Sequence, residues 1–309
     1  MVKKKIHMKW AKSDDPCFYN FGDDLGPYIV QKLSGAEVKY IYFACSRMYA
    51  IKQIAYKLIK GKLSSFLIKE FLRNVFLKQY LITIGSILQY YSSKRAIVWG
   101  SGIISKSDKI YYSKFIAVRG KYTEEKVRAL GFIGDLKLGD PALLLPLVLE
   151  SGLSSQRKYT LGIIPHYIHF EEIKSKLLPK NVKVINLNNQ NIEEVVDDIC
   201  SCSYTISSSL HGIIVSHAYG IKSLWFNLSK TPLAGDNIKF LDYFSSVEIP
   251  EYEPFNTNHS DKFLMDDIIK IFEEHQNFCS PAVDLKKIQK DLLQCAPFHV
   301  DSKFFTKID

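Results

Sequence analysis

The chain has 309 residues, 47% of them apolar, and 41 Lys and Arg against 32 Asp and Glu give a formal charge of +9. That length suits about two packed domains, and the basic balance favours anionic partners. No run of about 20 apolar residues occurs, so no membrane-spanning helix is expected, and no apolar stretch follows Lys3-Lys4-Lys5 to make a secretory signal.

Residues 6–10 read as a first strand. The turn after it holds Asn20-Phe21-Gly22-Asp23-Asp24-Leu25-Gly26-Pro27. Leu25, Ile29, Val30 and Leu33 then mark a helix, with both aspartates in its first turn, where they suit the dipole. Gly22 lets the backbone turn tightly beside a ligand. An ordinary N-cap accounts for an acidic first turn but not for Asn20 and Gly22 together. Residues 38–43 read as a second strand.

The segment 45–80 differs in composition. It carries eight basic residues (Arg47, Lys52, Lys57, Lys60, Lys62, Lys69, Arg73, Lys78) and one acid, Glu70, a net +7 of the chain's +9. Ile51, Ile54, Ala55, Leu58 and Ile59 follow helical spacing, as do Phe66, Leu67, Phe71, Leu72 and Val75. The pattern predicts two basic amphipathic helices broken near Gly61. Such helices suit an anionic membrane surface. The alternative packs the apolar stripes on the domain and leaves the lysines solvated. No nucleic-acid-binding motif accompanies the charge, so nucleic acid is not expected.

Leu81-Ile82-Thr83-Ile84-Gly85-Ser86, Ala96-Ile97-Val98-Trp99-Gly100-Ser101-Gly102 and Phe115-Ile116-Ala117-Val118-Arg119-Gly120 share one design, an apolar strand running into a glycine turn. A helix follows over 123–130. This is the signature of a parallel sheet with helices outside. Ligands of such sheets sit beyond the carboxyl ends of the strands, where Gly85, Gly100, Gly102 and Arg119 lie. Gly139-Asp140-Pro141-Ala142 and an apolar run to Val148 come next.

Residues 150–158 are polar and read as a linker. A second alternating series follows: strand 159–165 ending at Pro165-His166, helix 170–178, strand 182–187, and an acidic helix over 191–201. Then the β-prone Tyr204, Thr205 and Ile206 meet Ser207-Ser208-Ser209. Leu210, Ile213, Ile214 and His217 or Ala218 recur at helical spacing, Gly220 stops that helix, and residues 223–226 form the next strand. A helix N-terminus with hydroxyls and His211 suits an anion; N-capping serines and a surface histidine explain the same residues equally well. Lys230, Gly235-Asp236-Asn237-Ile238-Lys239-Phe240 and Asp242-Tyr243-Phe244 follow, and helices over 262–275 and 283–293 close the chain. The six cysteines (Cys17, Cys45, Cys200, Cys202, Cys279, Cys295) show no paired metal-ligand spacing and read as packing thiols of a cytoplasmic protein.

Two doubly wound halves, 1–150 and 151–309, describe an α/β fold of two Rossmann-like domains facing a cleft, the glycosyltransferase B-type architecture. The ordered series Asn20-Phe21-Gly22-Asp23-Asp24-Leu25, Gly100-Ser101-Gly102, Val118-Arg119-Gly120, Gly139-Asp140-Pro141 and Ser208-Ser209-Leu210-His211-Gly212 resembles the polysaccharide pyruvyl transferase family. The later Gly235-Asp236, Lys239-Phe240 and Asp242-Tyr243 look like the branch acting on exopolysaccharide sugars. The resemblance spans about residues 6–244. Lys230 falls near a lysine of that family without its usual flanking residues.

The resemblance implies transfer of pyruvate from phosphoenolpyruvate onto two hydroxyls of a hexose, the 4,6-diol of a galactose-type residue. A cyclic ketal forms and phosphate leaves; neither metal nor nucleotide cofactor is required. The first domain, with its insertion at about 45–80, would take the acceptor, a surface polysaccharide or its lipid-linked precursor. The second, with its closing helices, would take the donor. The expected donor site is Arg119, Ser208, Ser209, Leu210, His211 and Lys230, with Arg119 forking onto the carboxylate or phosphate. His211 binds phosphate or moves a proton, and Asp23 or Asp24 is the base. Asn20, Gly22, Gly100, Ser101, Gly102, His166 and Lys239 line the acceptor side, and His217 is structural. The expected location is cytoplasmic, peripheral on the inner membrane face. Two competing readings are a nucleotide-sugar glycosyltransferase of the same architecture and a non-catalytic membrane-associated assembly protein.

Overall fold

The computed structural model describes residues 4–12, 19–43, 47–62, 64–150, 156–256 and 265–308. Cys17, Cys45, most of the expected linker and the expected start of the helix at 262 lie outside the described residues.

The first half holds β1 (Lys5–Met8), α1 (Phe21–Ser34), β2 (Glu37–Tyr40), α2 (Arg47–Ile59), α3 (Ser65–Phe76), β3 (Tyr80–Ile82), α4 (Leu88–Tyr91), β4 (Ala96–Ser101), β5 (Lys114–Val118), α5 (Lys121–Ala129), β6 (Lys137–Leu138) and α6 (Leu145–Val148). The second holds β7 (Tyr159–Ile164), α7 (Phe170–Lys174), β8 (Val182–Val184), α8 (Ile192–Cys200), β9 (Cys202–Ser207), α9 (Leu210–Ala218), β10 (Lys222–Asn227), α10 (Ile238–Ser246), β11 (Phe255–Asn256), α11 (Met265–Glu274), α12 (Leu285–Gln294) and α13 (Lys303–Thr306). The strands form two parallel sheets, ordered β2-β1-β3-β4-β5-β6 and β11-β10-β9-β7-β8. The fold is therefore α/β, as the apolar runs ending in glycine or serine predict. Those runs are apolar because parallel strands are covered on both faces: Val98, Trp99, Ala117, Leu161, Ile206 and Leu224 are all fully buried.

Both sheets run second-first-third outward from their first strand. The direction in which strands are added across the sheet thus reverses between β1 and β3 in one sheet and between β7 and β9 in the other, while the strands stay parallel. Connections on either side of such a point diverge and leave a crevice at the strands' carboxyl ends. Residues 20–23 and Gly85 follow β1 and β3; His166 and residues 208–211 follow β7 and β9.

The two sheets share one apolar core. It runs from Met8, Phe21 and Leu25 through Leu143, Leu210 and Ile213 to Phe244 and Leu292. The last helices return to the first half. Trp99 Nε1 donates to Leu292 O at 3.1 Å, Gln289 Nε2 to Leu143 O at 2.8 Å, and Lys307 Nζ to Leu147 O at 2.8 Å.

The basic insertion is a pair of helices, α2 and α3, as the break at Gly61 predicts. Their apolar stripes do not pack as a core face. In α3 the buried residues are Glu70 and Asn74, while Phe66 and Leu72 are exposed. No described helix is long and apolar enough to cross a membrane.

Candidate active site

The site begins at the start of α1. Asn20 is its N-cap, in extended backbone, and its side chain accepts from Gly22 N at 3.2 Å. The amide end of Asn20 donates to Asp23 Oδ2 at 2.6 Å. Asp23 reaches across the first switch point, for a Cβ built on Gly85 would stand 3.3 Å from its Oδ1. Burial pushes the Asp23 carboxyl up to about 6, helped by Asp24 and opposed by His211, the Asn20 hydrogen bond and Lys239. Asp24 faces the other way and accepts from Trp10 Nε1 at 2.9 Å. The structure thus separates the two aspartates: Asp23 looks into the junction, Asp24 braces β1.

From the second sheet comes α9. Ser207 Oγ accepts from Ser209 N at 2.9 Å and Ser208 Oγ from His166 N at 2.9 Å. These two hydroxyls tie the turn together. Ser209 is the N-cap, yet its side chain makes no capping bond. The first-turn N–H groups of Leu210, His211 and Gly212 are therefore left for another acceptor. Leu210 itself is buried in the core and contributes backbone alone.

His211 meets α1 directly. A Cβ on residue 22 would lie 2.1 Å from His211 Nδ1, so only glycine fits under the imidazole. Its other nitrogen, Nε2, lies 3.8 Å from Asp140 Oδ2. Both atoms are buried and have no hydrogen-bond partner among the described residues. Asp140 is fully buried, and its second oxygen accepts from Ala142 N at 2.9 Å, which fixes the carboxylate at the head of the turn after β6. A buried carboxylate so placed sets the orientation of an imidazole.

Lys239, in the first turn of α10, supplies the cation. It has neither a hydrogen-bond nor an ion-pair partner among the described residues. Burial pushes its ammonium down to about 8, with Arg119 adding to the shift and Asp23 opposing it. A desolvated lysine near Asp23 but engaged in no ion pair with it is poised for an anion. Beside it, burial first and then Lys239 push His166 down to about 3, so this imidazole is neutral at physiological pH. The Tyr167 hydroxyl is raised by burial and by the charge of Asp23.

Arg119 does not present the open fork expected of it. The side chain is 0% exposed. Nε donates to Asp242 Oδ2 at 3.0 Å, Nη1 to Ser86 Oγ at 2.7 Å and Nη2 to Ile103 O at 2.7 Å. Asp242 also takes Thr123 N and Oγ1, at 2.9 and 2.6 Å. The pair clamps α10 of the second half to β5 and α5 of the first. Breaking a buried pair by removing one partner typically costs about 3–5 kcal/mol. Arg119→Ala should therefore lower the unfolding free energy by about that amount, read from a urea transition; an unchanged midpoint would show that the pair does not clamp the two halves.

The remaining expected residues are scaffold or surface. Ser101 Oγ donates to Gly85 O at 2.7 Å, Gly100 packs on Pro141, and Gly102 is covered by the Arg119 guanidinium. Lys230 is exposed, and no described contact brings it to the cluster. His217 is buried 3.0 Å from Tyr243 Oη, a structural role as expected. Asp140, Asp242 and Ser86 are roles that sequence reasoning did not assign. For Asp140 a signal existed: an Asp-Pro pair after glycine, where a strand ends.

A family model described as "Polysaccharide pyruvyl transferase" matches residues 20–230. An uncharacterised protein of Acanthamoeba polyphaga mimivirus is 32% identical over 181 residues, 56% of this chain and 63% of the viral protein. The chain thus spans less than two thirds of that relative's length. Asp23, Arg119, Asp140 and His211 all fall inside the matched segment; Lys239 and Asp242 lie just beyond it.

Proposed function

The chain belongs to the polysaccharide pyruvyl transferase family, and on that premise we propose that it moves pyruvate from phosphoenolpyruvate onto a sugar diol. The acceptor class is a hexose with 4- and 6-hydroxyls, of the galactose type, in a surface polysaccharide or its lipid-linked precursor. We assign the halves 1–150 and 151–309 to two Rossmann-like domains of the glycosyltransferase B type. What supports that assignment is the matching strand order of the two sheets.

The observation that carries the chemistry is the meeting of two switch points. It brings Asp23, the His211–Asp140 pair and Lys239 to one junction. Phosphoenolpyruvate carries a phosphate and a carboxylate. Lys239 and the open first-turn N–H groups of α9 would hold them, fixed donors that need no reorganisation. A proton added to the methylene carbon makes C2 electrophilic. The first sugar hydroxyl attacks C2, the C2–O bond to phosphate breaks, and the second hydroxyl closes the ring. Of the two hydroxyl protons, one ends on the new methyl group and one on phosphate. Asp23, half-ionised near pH 6, takes a hydroxyl proton. His211, its Nε2 facing Asp140, delivers one through Nδ1.

The test is incubation of the full chain with phosphoenolpyruvate and a panel of hexosides. Phosphate release must match a pyruvyl mass gain on the sugar. A nucleotide sugar consumed instead would overturn the assignment.

Lys239 makes its own prediction. Lys239→Met should raise KM for phosphoenolpyruvate by about tenfold or more, roughly 1.4 kcal/mol of lost binding, with kcat changed less. Because the ammonium titrates near 8, donor affinity of the parent protein should fall as the pH rises through that value. The variant should lack this alkaline limb. A parent-like KM and limb in Lys239→Met would exclude it from the donor site.

A further inference from the structure

The helical pair α2 and α3 is built inside out. A helix on a soluble domain normally turns its apolar stripe to the core and its polar residues to water. In α3 the inward face holds Glu70 and Asn74. They are satisfied there: Glu70 pairs with Arg73, Asn74 donates to Phe43 O, and Arg95 donates to Asn74 Oδ1 and to Asn74 O, the latter at 2.7 Å. Arg73 also donates to Tyr40 O at 2.8 Å, so α3 is tied to the chain around the end of β2 by polar bonds. The outward face carries Ile68, Leu72 and Phe76, spaced four residues apart on one stripe. In α2 the outward stripe is Met48, Ile51, Leu58 and Ile59, and Ala50 is the one residue buried among those described. Ile59 is 81% exposed and Phe76 79%.

Lysines border these stripes. Lys52 lies on the outward face of α2, Lys60 and Lys62 sit at the turn, and Lys69 lies beside Ile68 and Leu72. The one acid of the segment is consumed by Arg73. An apolar stripe edged with lysines is complementary to a surface that is oily within and anionic at its rim. A second copy of the chain fits badly, because two such faces would bring like charges together. A nucleic-acid backbone would neutralise the lysines and leave the isoleucines, leucines and phenylalanines in water.

We propose that α2 and α3 dock on a bilayer surface bearing anionic lipids, with Ile59, Leu72 and Phe76 entering the headgroup boundary and the lysines meeting the lipid phosphates. The pair follows β2, so it leaves the first sheet from the same carboxyl edge that carries Asp23 and Gly85. Docking would hold that edge towards the membrane. The proposal does not depend on the transfer reaction, since binding is read without turnover.

The test uses the full chain with phosphatidylcholine vesicles, with and without phosphatidylglycerol, in a flotation assay. Binding is expected to the anionic vesicles alone, and to weaken as salt rises. A variant with Lys52, Lys57, Lys60 and Lys62 all changed to Gln should lose at least about tenfold in partition, each lysine near such a surface being worth about fivefold. Ile59→Ser with Phe76→Ser should also lose at least about tenfold, well below what full burial of two such side chains contributes. Both variants should keep parent phosphate release with a soluble acceptor. No binding, equal binding to neutral vesicles, or loss of a dimer in the serine variant without any vesicle binding would overturn the proposal.

Discussion

His211→Ala is expected to fold as the parent does and to release phosphate about 10²- to 10⁴-fold more slowly, the usual contribution of a general acid or base. Its ring is packed over Gly22, so truncation opens space at the junction without touching the core beneath. His211→Gln separates two roles. If the imidazole held phosphate and nothing more, the amide would recover much of the rate. With a proton moving through Nδ1, the glutamine variant stays near alanine in rate while recovering donor binding. Asp140→Asn isolates the partner's charge. It keeps a polar side chain facing Nε2 but removes the carboxylate charge beside the ring, so kcat should fall while KM for the donor holds. Phosphate release against donor concentration, with circular dichroism for folding, measures all of this. A folded His211→Ala protein with parent turnover would end the assignment of His211.

Asp23→Asn should lose activity on a similar scale and gain stability. The sign follows from the raised carboxyl. The folded protein holds its proton up to about pH 6, whereas an unfolded aspartate releases it near 3.9. The folded state thus loses stability as the pH rises from about 4 to 6, and above that it carries a buried carboxylate in full. A carboxyl displaced that far costs the folded protein about 2–3 kcal/mol at neutral pH. Asparagine cannot ionise and can still accept from Asn20 Nδ2. Urea unfolding at pH 7.5 should show the variant more stable by about 2 kcal/mol, and the gain should shrink as the pH is lowered towards 4. In the parent, kcat/KM should show an acid limb near pH 6. A variant with parent activity, or one whose stability relative to the parent is lower at pH 7.5 than at pH 4, would contradict a buried catalytic carboxylate.

The strands were legible because a parallel strand buried on both faces must be apolar and must end where the chain turns. Ala96-Ile97-Val98-Trp99-Gly100 could hardly read otherwise. β6 was not legible, since Lys137 and Leu138 are its whole length. Neither was α10, whose N-cap Asn237 adopts φ +66° and disguises the helix start as a turn. The helix-start positions of His211 and Asp23 were readable because each lies in the first turn of a helix after a strand, a purely local signal. Arg119 was misread for the opposite reason. A cation at a strand's end looks the same whether it awaits a ligand or meets a carboxylate 123 residues away. The helices α2 and α3 were placed correctly by periodicity. Their inward face was not, because periodicity finds a stripe without saying which way it points.

The return of the last helices to the first sheet has a consequence for how the protein is made. Trp99 waits for the carbonyl of Leu292, a partner 193 residues further along the chain. At synthesis rates of about 5–20 residues per second, that interval is roughly 10 to 40 s. Once β6 has followed, the first sheet has emerged while the face meant for α12 stands bare, including the groove where Gly139 receives Ile288. The first half is thus a nascent chain with an unfinished surface until α12 has been made. Its maturation belongs to the arrival of α12 rather than to the moment its own strands are paired.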